Sequence, residues 1–82
     1  MSEAPLTPEQ VKAARELLGW WQSDLAARIR VNERTIRAFE ANELWGLALD
    51  LDLVRTALES AGAIFVEEKG EGPGVRLRKG LE

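Results

Sequence analysis

Gln22-Ser23-Asp24-Leu25-Ala26-Ala27-Arg28-Ile29-Arg30-Val31-Asn32-Glu33-Arg34-Thr35-Ile36-Arg37-Ala38-Phe39-Glu40-Ala41 is the stretch on which the fold turns. Leu25, Ala26 and Ile29 recur at helical spacing and predict a helix over residues 22–29. Ile36 and Phe39 are the apolar pair of a second helix, over residues 32–41. Asn32 is a good cap for its start, because a side-chain oxygen there can accept from an otherwise orphaned helix N–H. Asn42 tolerates the left-handed backbone that often ends a helix. Arg30 falls in the turn between the two helices, with Val31 after it.

Working outward, Thr7-Pro8-Glu9-Gln10 carries a capping box, with proline at the first helical position and an acid near the positive end of the helix dipole. It opens a helix from Pro8 to about Leu18, stopped by Gly19, with Val11, Ala14 and Leu18 on one face. Downstream, Asp50 caps a helix over residues 51–61 that ends at Gly62 and turns Val54, Ala57, Leu58 and Leu51 inward. Beyond Gly62 the period changes to two. Residues 63–67 and 75–78 read as the strands of a β-hairpin, joined by the turn-rich segment Glu68-Lys69-Gly70-Glu71-Gly72-Pro73-Gly74. The organisation expected is a flexible N-terminal arm over residues 1–6, a helical domain over 7–62, a hairpin serving as a dimerisation element over 63–79, and a tail over 80–82.

Eighty-two residues are enough for one core. There is no Cys and no His, which removes disulfides, thiolate metal sites and the commonest general base. With no phosphate-cradling glycine motif and no metal-ligand spacing either, a binding protein without a cofactor is expected rather than an enzyme. Met1-Ser2-Glu3-Ala4 lacks the basic and then apolar pattern of a secretory signal, and no apolar run has the length of a membrane span, so a cytoplasmic protein is expected. The net charge is −3, but its distribution says more. Arg28, Arg30, Arg34 and Arg37 face Glu33 alone within residues 28–37, whereas Glu43, Asp50, Asp52 and Glu59 outnumber Arg55 within residues 41–62. A basic edge and an acidic flank follow.

The quoted stretch resembles the helix-turn-helix of the Cro/C1 (XRE) family of transcriptional regulators. The likeness rests on Gln22 opening the first helix, Leu25-Ala26 in its middle, Val31 after the turn, then Thr35-Ile36 and Phe39-Glu40. It extends without a gap to Arg15-Glu16-Leu17-Leu18-Gly19-Trp20 before the motif and to Asp50-Leu51, Val54-Arg55 and Ala57-Leu58-Glu59 after it. The tail through Gly62-Ala63-Ile64-Phe65-Val66 and Gly72-Pro73-Gly74-Val75-Arg76-Leu77 is similar to that of short proteobacterial members. The resemblance implies a mainly α fold, a lambda-repressor-like bundle of four to five short helices with a C-terminal β-hairpin. It implies double-stranded DNA as partner and a dimeric repressor on a palindromic operator. Gln22 would contact a phosphate through its side chain or its helix-end amide. Asn32, Glu33 and Arg34 would face base edges in the major groove, Arg34 bidentate on guanine and Glu33 accepting from a cytosine amino group. Thr35 and Arg37 would reach backbone or flanking bases. Arg15 and Glu40 match a structural ion pair of the family.

Two positions and one segment depart from that pattern. Arg30 occupies the turn, where glycine is common in the family; it is either tolerated strain with a solvated side chain or an extra phosphate contact. Trp21 stands where a small polar cap is usual, beside Trp20, which belongs in the core. Trp21 is then half exposed, against DNA sugar or a partner, or else packed on Leu17 or the hairpin. In Glu43-Leu44-Trp45-Gly46-Leu47-Ala48-Leu49, the cations and proline of relatives give way to an acid and large apolar groups. That segment is either covered by the hairpin or an interface, and a domain this small has little spare core to cover it. Leu44, Trp45 and Leu47 are therefore assigned to a partner surface. Ile64, Val66, Val75 and Leu77 are expected to face the helices or a second chain. The rival functional reading is a protein-interaction module, an antitoxin or adaptor, working through residues 44–49.

Overall fold

Thr7 opens the first helix as its side chain dictates. Its Oγ1 accepts from the Gln10 amide at 3.1 Å, and Gln10 Oε1 accepts from the Thr7 amide at 3.1 Å. In the computed structural model, which describes residues 6–68 and 72–78, this capping box starts α1 (Pro8–Leu17). Gly19, at φ 73°, then takes the left-handed turn that ends it. Helix α2 spans Gln22–Ile29 and α3 spans Glu33–Glu40, with Asn32 Oδ1 accepting from the Arg34 amide at 2.8 Å to cap α3. A 3-10 helix covers Leu44–Ala48, and α4 runs from Leu51 to Ser60 behind Asp50, whose carboxylate accepts from the Asp52 and Leu53 amides. Strands β1 (Ala63–Glu68) and β2 (Gly72–Leu77) form an antiparallel pair. Among the described residues the fold is mainly helical with one short hairpin, and no helix is long and apolar enough to cross a membrane.

The core is built where the apolar faces of the helices meet. Leu25, Ile36, Leu58, Val11 and Val54 are fully buried, with Ala14, Ala26, Leu49 and Ala63 among them. Helix α3 packs on α2 and on the 3-10 helix, while the hairpin packs on α1 and α4. Leu6 is 4% exposed and belongs to this core, so the chain is already anchored at the last residue of the expected arm. Residues 1–5, 69–71 and 79–82 lie outside the described residues.

Two expectations about the hairpin are corrected. Its second strand begins at Gly72 rather than Val75, so Pro73 and Gly74 pair with Glu67 and Val66 instead of lying in the loop. Both strands of a two-stranded sheet are edges, and an edge strand accommodates a proline that donates no ladder bond. The register also separates the four residues grouped together from the sequence. Ala63 faces Leu77 and Phe65 faces Val75 across the ladder, whereas Ile64 faces Arg76 and Val66 faces Gly74. Successive side chains of a strand point to opposite faces. Val75, Phe65 and Ala63 therefore take the inner face against the helices, with Leu77 beside them, and Ile64 and Val66 take the outer one with Arg76.

Candidate nucleic-acid interface

The turn between α2 and α3 decides how the outward face of α3 is presented. Arg30 adopts φ 60° and ψ 47°, the left-handed conformation. Its amide and that of Val31 both donate to Ala26 O, closing α2 and sending the chain directly into Asn32. Ile36 is fully buried in the core and Phe39 packs against it, which fixes the inner side of α3. Asn32, Glu33, Arg34 and Arg37 are left exposed on the other side, with Thr35 half-buried beside them. Arg34 and Arg37 stand three residues apart and so share a face. Among the described residues, no carboxylate forms an ion pair with either.

A second element completes this surface. The 3-10 helix lies along α3 so closely that a Cβ on Gly46 would stand 2.3 Å from Phe39 Cα. Glycine is required there because the two backbones touch. The result is a cleft of about 600 Å³ lined by Asn32, Arg34, Thr35, Arg37 and Ala38 of α3 and by Glu43 and Ala48 opposite. One wall offers guanidinium, amide and hydroxyl groups, able to donate to base edges or phosphate oxygens. The facing wall offers a carboxylate and apolar groups.

Behind the face lies a polar network. Arg15 Nε and Nη2 donate to the two carboxylate oxygens of Glu40 at 2.8 and 2.9 Å, and Arg15 Nη1 donates to Trp20 O at 2.8 Å. The side chains are 9% and 4% exposed. Hydrogen bonding to Glu40 raises the pKa of Arg15 above its ordinary value, burial opposes this, and attraction from Glu40 and Glu16 adds to it. This pair joins the end of α1 to the end of α3. Gln22 Nε2 donates to Glu40 Oε1 at 3.1 Å, so the Gln22 side chain is turned into the network and its helix-end amide is the outward group.

The remaining predicted positions are distributed more widely. Arg28 does not join the basic face: its guanidinium lies over the Trp20 ring, 4.4 Å from the centroid, beside Leu17, Leu18, Ala61 and Leu77. Trp20 is therefore half-buried under a cation rather than enclosed in the core. Trp21 is 76% exposed, beyond the half-exposure expected; α2 begins without a side-chain cap from it, and Asp24 accepts from the Trp21 amide at 2.7 Å. The segment after α3 is a 3-10 helix whose inner side rests on α3, with Leu49 buried and Leu44 81% exposed. The Trp45 and Leu47 side chains, assigned with Leu44 to a partner surface, lie outside what is described. Sequence reasoning missed Gly46 as the contact that seats this helix and Glu43 as a wall of the cleft. The glycine amid bulky residues was the available signal for the first; nothing local signals the second.

Comparison with family models found no match, and a search of curated proteins found no similar sequence.

Proposed function

We propose that this chain is a sequence-specific DNA-binding transcriptional regulator of the Cro/C1 helix-turn-helix type, with the lambda-repressor-like arrangement, acting in the cytoplasm as a dimeric repressor. The observation that carries the reading is the solvent face of α3, where Asn32, Glu33 and Arg34 stand at the start of the helix and Arg37 one turn on, while its other side is locked in the core. A helix about 10–12 Å across with its side chains fits a major groove about 12 Å wide. Arg34 reads guanine, Glu33 accepts from a cytosine amino group, Thr35 and Arg37 reach the backbone or flanking bases, and the Gln22 amide holds a phosphate. Arg30, exposed in the turn at the edge of this face, adds a phosphate contact.

Selection from randomised duplex DNA tests this reading. The native chain is expected to enrich a palindromic motif, and an Arg34→Ala, Arg37→Ala variant to lose it, at about 1–3 kcal/mol for each good bidentate base contact removed. No enrichment at low salt would overturn the proposal. The alternative, a protein-interaction module, is favoured by the exposure of Leu44 and Trp21. It predicts capture of a protein partner that Leu44→Ser abolishes and Arg34→Ala leaves intact.

A further inference from the structure

Glu43 occupies a position in the cleft that the contacts so far leave unused. Its backbone is fixed at both ends: the amide donates to Ala38 O at 2.8 Å, and the carbonyl accepts from the Gly46 amide at 2.9 Å. The left-handed Asn42 before it turns the chain back along α3, so Glu43 lines the same cleft as Arg34 and Arg37. Its side chain is exposed, and among the described residues no cation pairs with it. It also lies three residues past the end of α3, on the side where the helix dipole is negative. The cleft is thus electrically polar across its width, with Arg34 and Arg37 on the α3 wall and a carboxylate on the other.

We propose that Glu43 is a specificity-determining residue that suppresses sequence-independent binding to the sugar-phosphate backbone. The proposal rests on the DNA-binding reading above. A duplex held by base edges is seated by Arg34 and Arg37, which fix where its strands pass. A duplex without the right bases is held by its phosphates alone, and it settles wherever cations are closest. In this cleft the strand then lies between the arginine wall and Glu43, and the carboxylate repels it. The repulsion falls on the loosely placed complex more than on the seated one, so it widens the ratio of specific to random affinity.

The experiment compares Glu43→Gln and Glu43→Lys with Glu16→Gln, which removes the same single charge from the exposed side of α1, away from the cleft. Each is titrated with a random-sequence duplex and with the duplex enriched by the native chain, over a range of salt. Glu43→Gln is expected to raise random-duplex affinity by roughly three- to tenfold and to lower the specific-to-random ratio. Glu43→Lys is expected to steepen the logarithmic salt dependence by about 0.9, the slope of one additional phosphate contact. Glu16→Gln should change neither by as much as twofold. If Glu43→Gln behaves as Glu16→Gln does, or if the ratio holds constant, the role of Glu43 is overturned while the DNA-binding reading stands. If the native chain binds neither duplex at low salt, that reading falls, and this one with it.

Discussion

At the scale of single residues, the informative group is Arg15. A buried guanidinium is tolerated because each of its three nitrogens donates to an oxygen, two on Glu40 and one on Trp20. Removing one partner leaves the other charge stranded in a region of low dielectric. Glu40→Gln is expected to lower the unfolding free energy by about 3–5 kcal/mol, read from the urea midpoint. The double variant Arg15→Met, Glu40→Leu should lose less than either single change, since it strands nothing. A double variant as unstable as the two losses added together would show that Arg15 and Glu40 act separately, through their bonds to Trp20 and Gln22, rather than as a pair.

At the scale of elements, two junctions set the shape of the cleft, and both depend on backbone. The α2–α3 turn holds Arg30 in a left-handed conformation that costs a non-glycine residue roughly 1–2 kcal/mol. Arg30→Gly should therefore stabilise the chain by about 0.5–1 kcal/mol, after the greater chain entropy of glycine is offset. A uniform drop in DNA affinity alongside that gain is the outcome expected if Arg30 holds a phosphate, whereas unchanged affinity leaves it as tolerated strain alone. The second junction is the contact of Gly46 with Phe39. A methyl group there cannot be accommodated by a side-chain rotation, because the atoms it meets are the Phe39 backbone and Cβ. Gly46→Ala should push the 3-10 helix from α3 at about 1–3 kcal/mol, lowering the melting midpoint by roughly 5–20 °C.

At the scale of the whole molecule, one chain presents one α3 face within extents of 30 × 28 × 22 Å. A palindromic site with half-sites about 34 Å apart then needs two copies side by side. The hairpin does not require a second chain for its stability, since its inner face already rests on α1 and α4. What it offers a second copy is the outer face, with Ile64 exposed and Val66 half-buried. The dimer is expected in sedimentation at tens of micromolar, and Ile64→Glu should yield a monomer with unchanged helical circular dichroism. A native chain that sediments as a monomer there would remove the palindrome from the mechanism.

Helix starts and stops were legible in the sequence because they are local chemistry. Thr7, Asn32 and Asp50 cap with their own side chains, and Gly19 and Asn42 turn left-handed where short-range sterics permit it. The face of α3 was legible for the same reason: a 3.6-residue period sorts Ile36 from Arg34 and Arg37 without knowledge of the neighbours. Strand pairing was not. Which of Ile64, Val66, Val75 and Leu77 turn inward depends on a register set across the ladder, and a shift of one residue inverts every side chain. The fate of Arg28, drawn away from the basic face by Trp20, and the place of Glu43 in the cleft are likewise products of packing. Both depend on residues brought together by the folded chain, and charge counted along a sequence carries no information about which face it will occupy. The caps and periods were decided within a few residues; the composition of the cleft was decided by the backbone contact of Gly46 with Phe39, which exists only once α3 and the 3-10 helix have met.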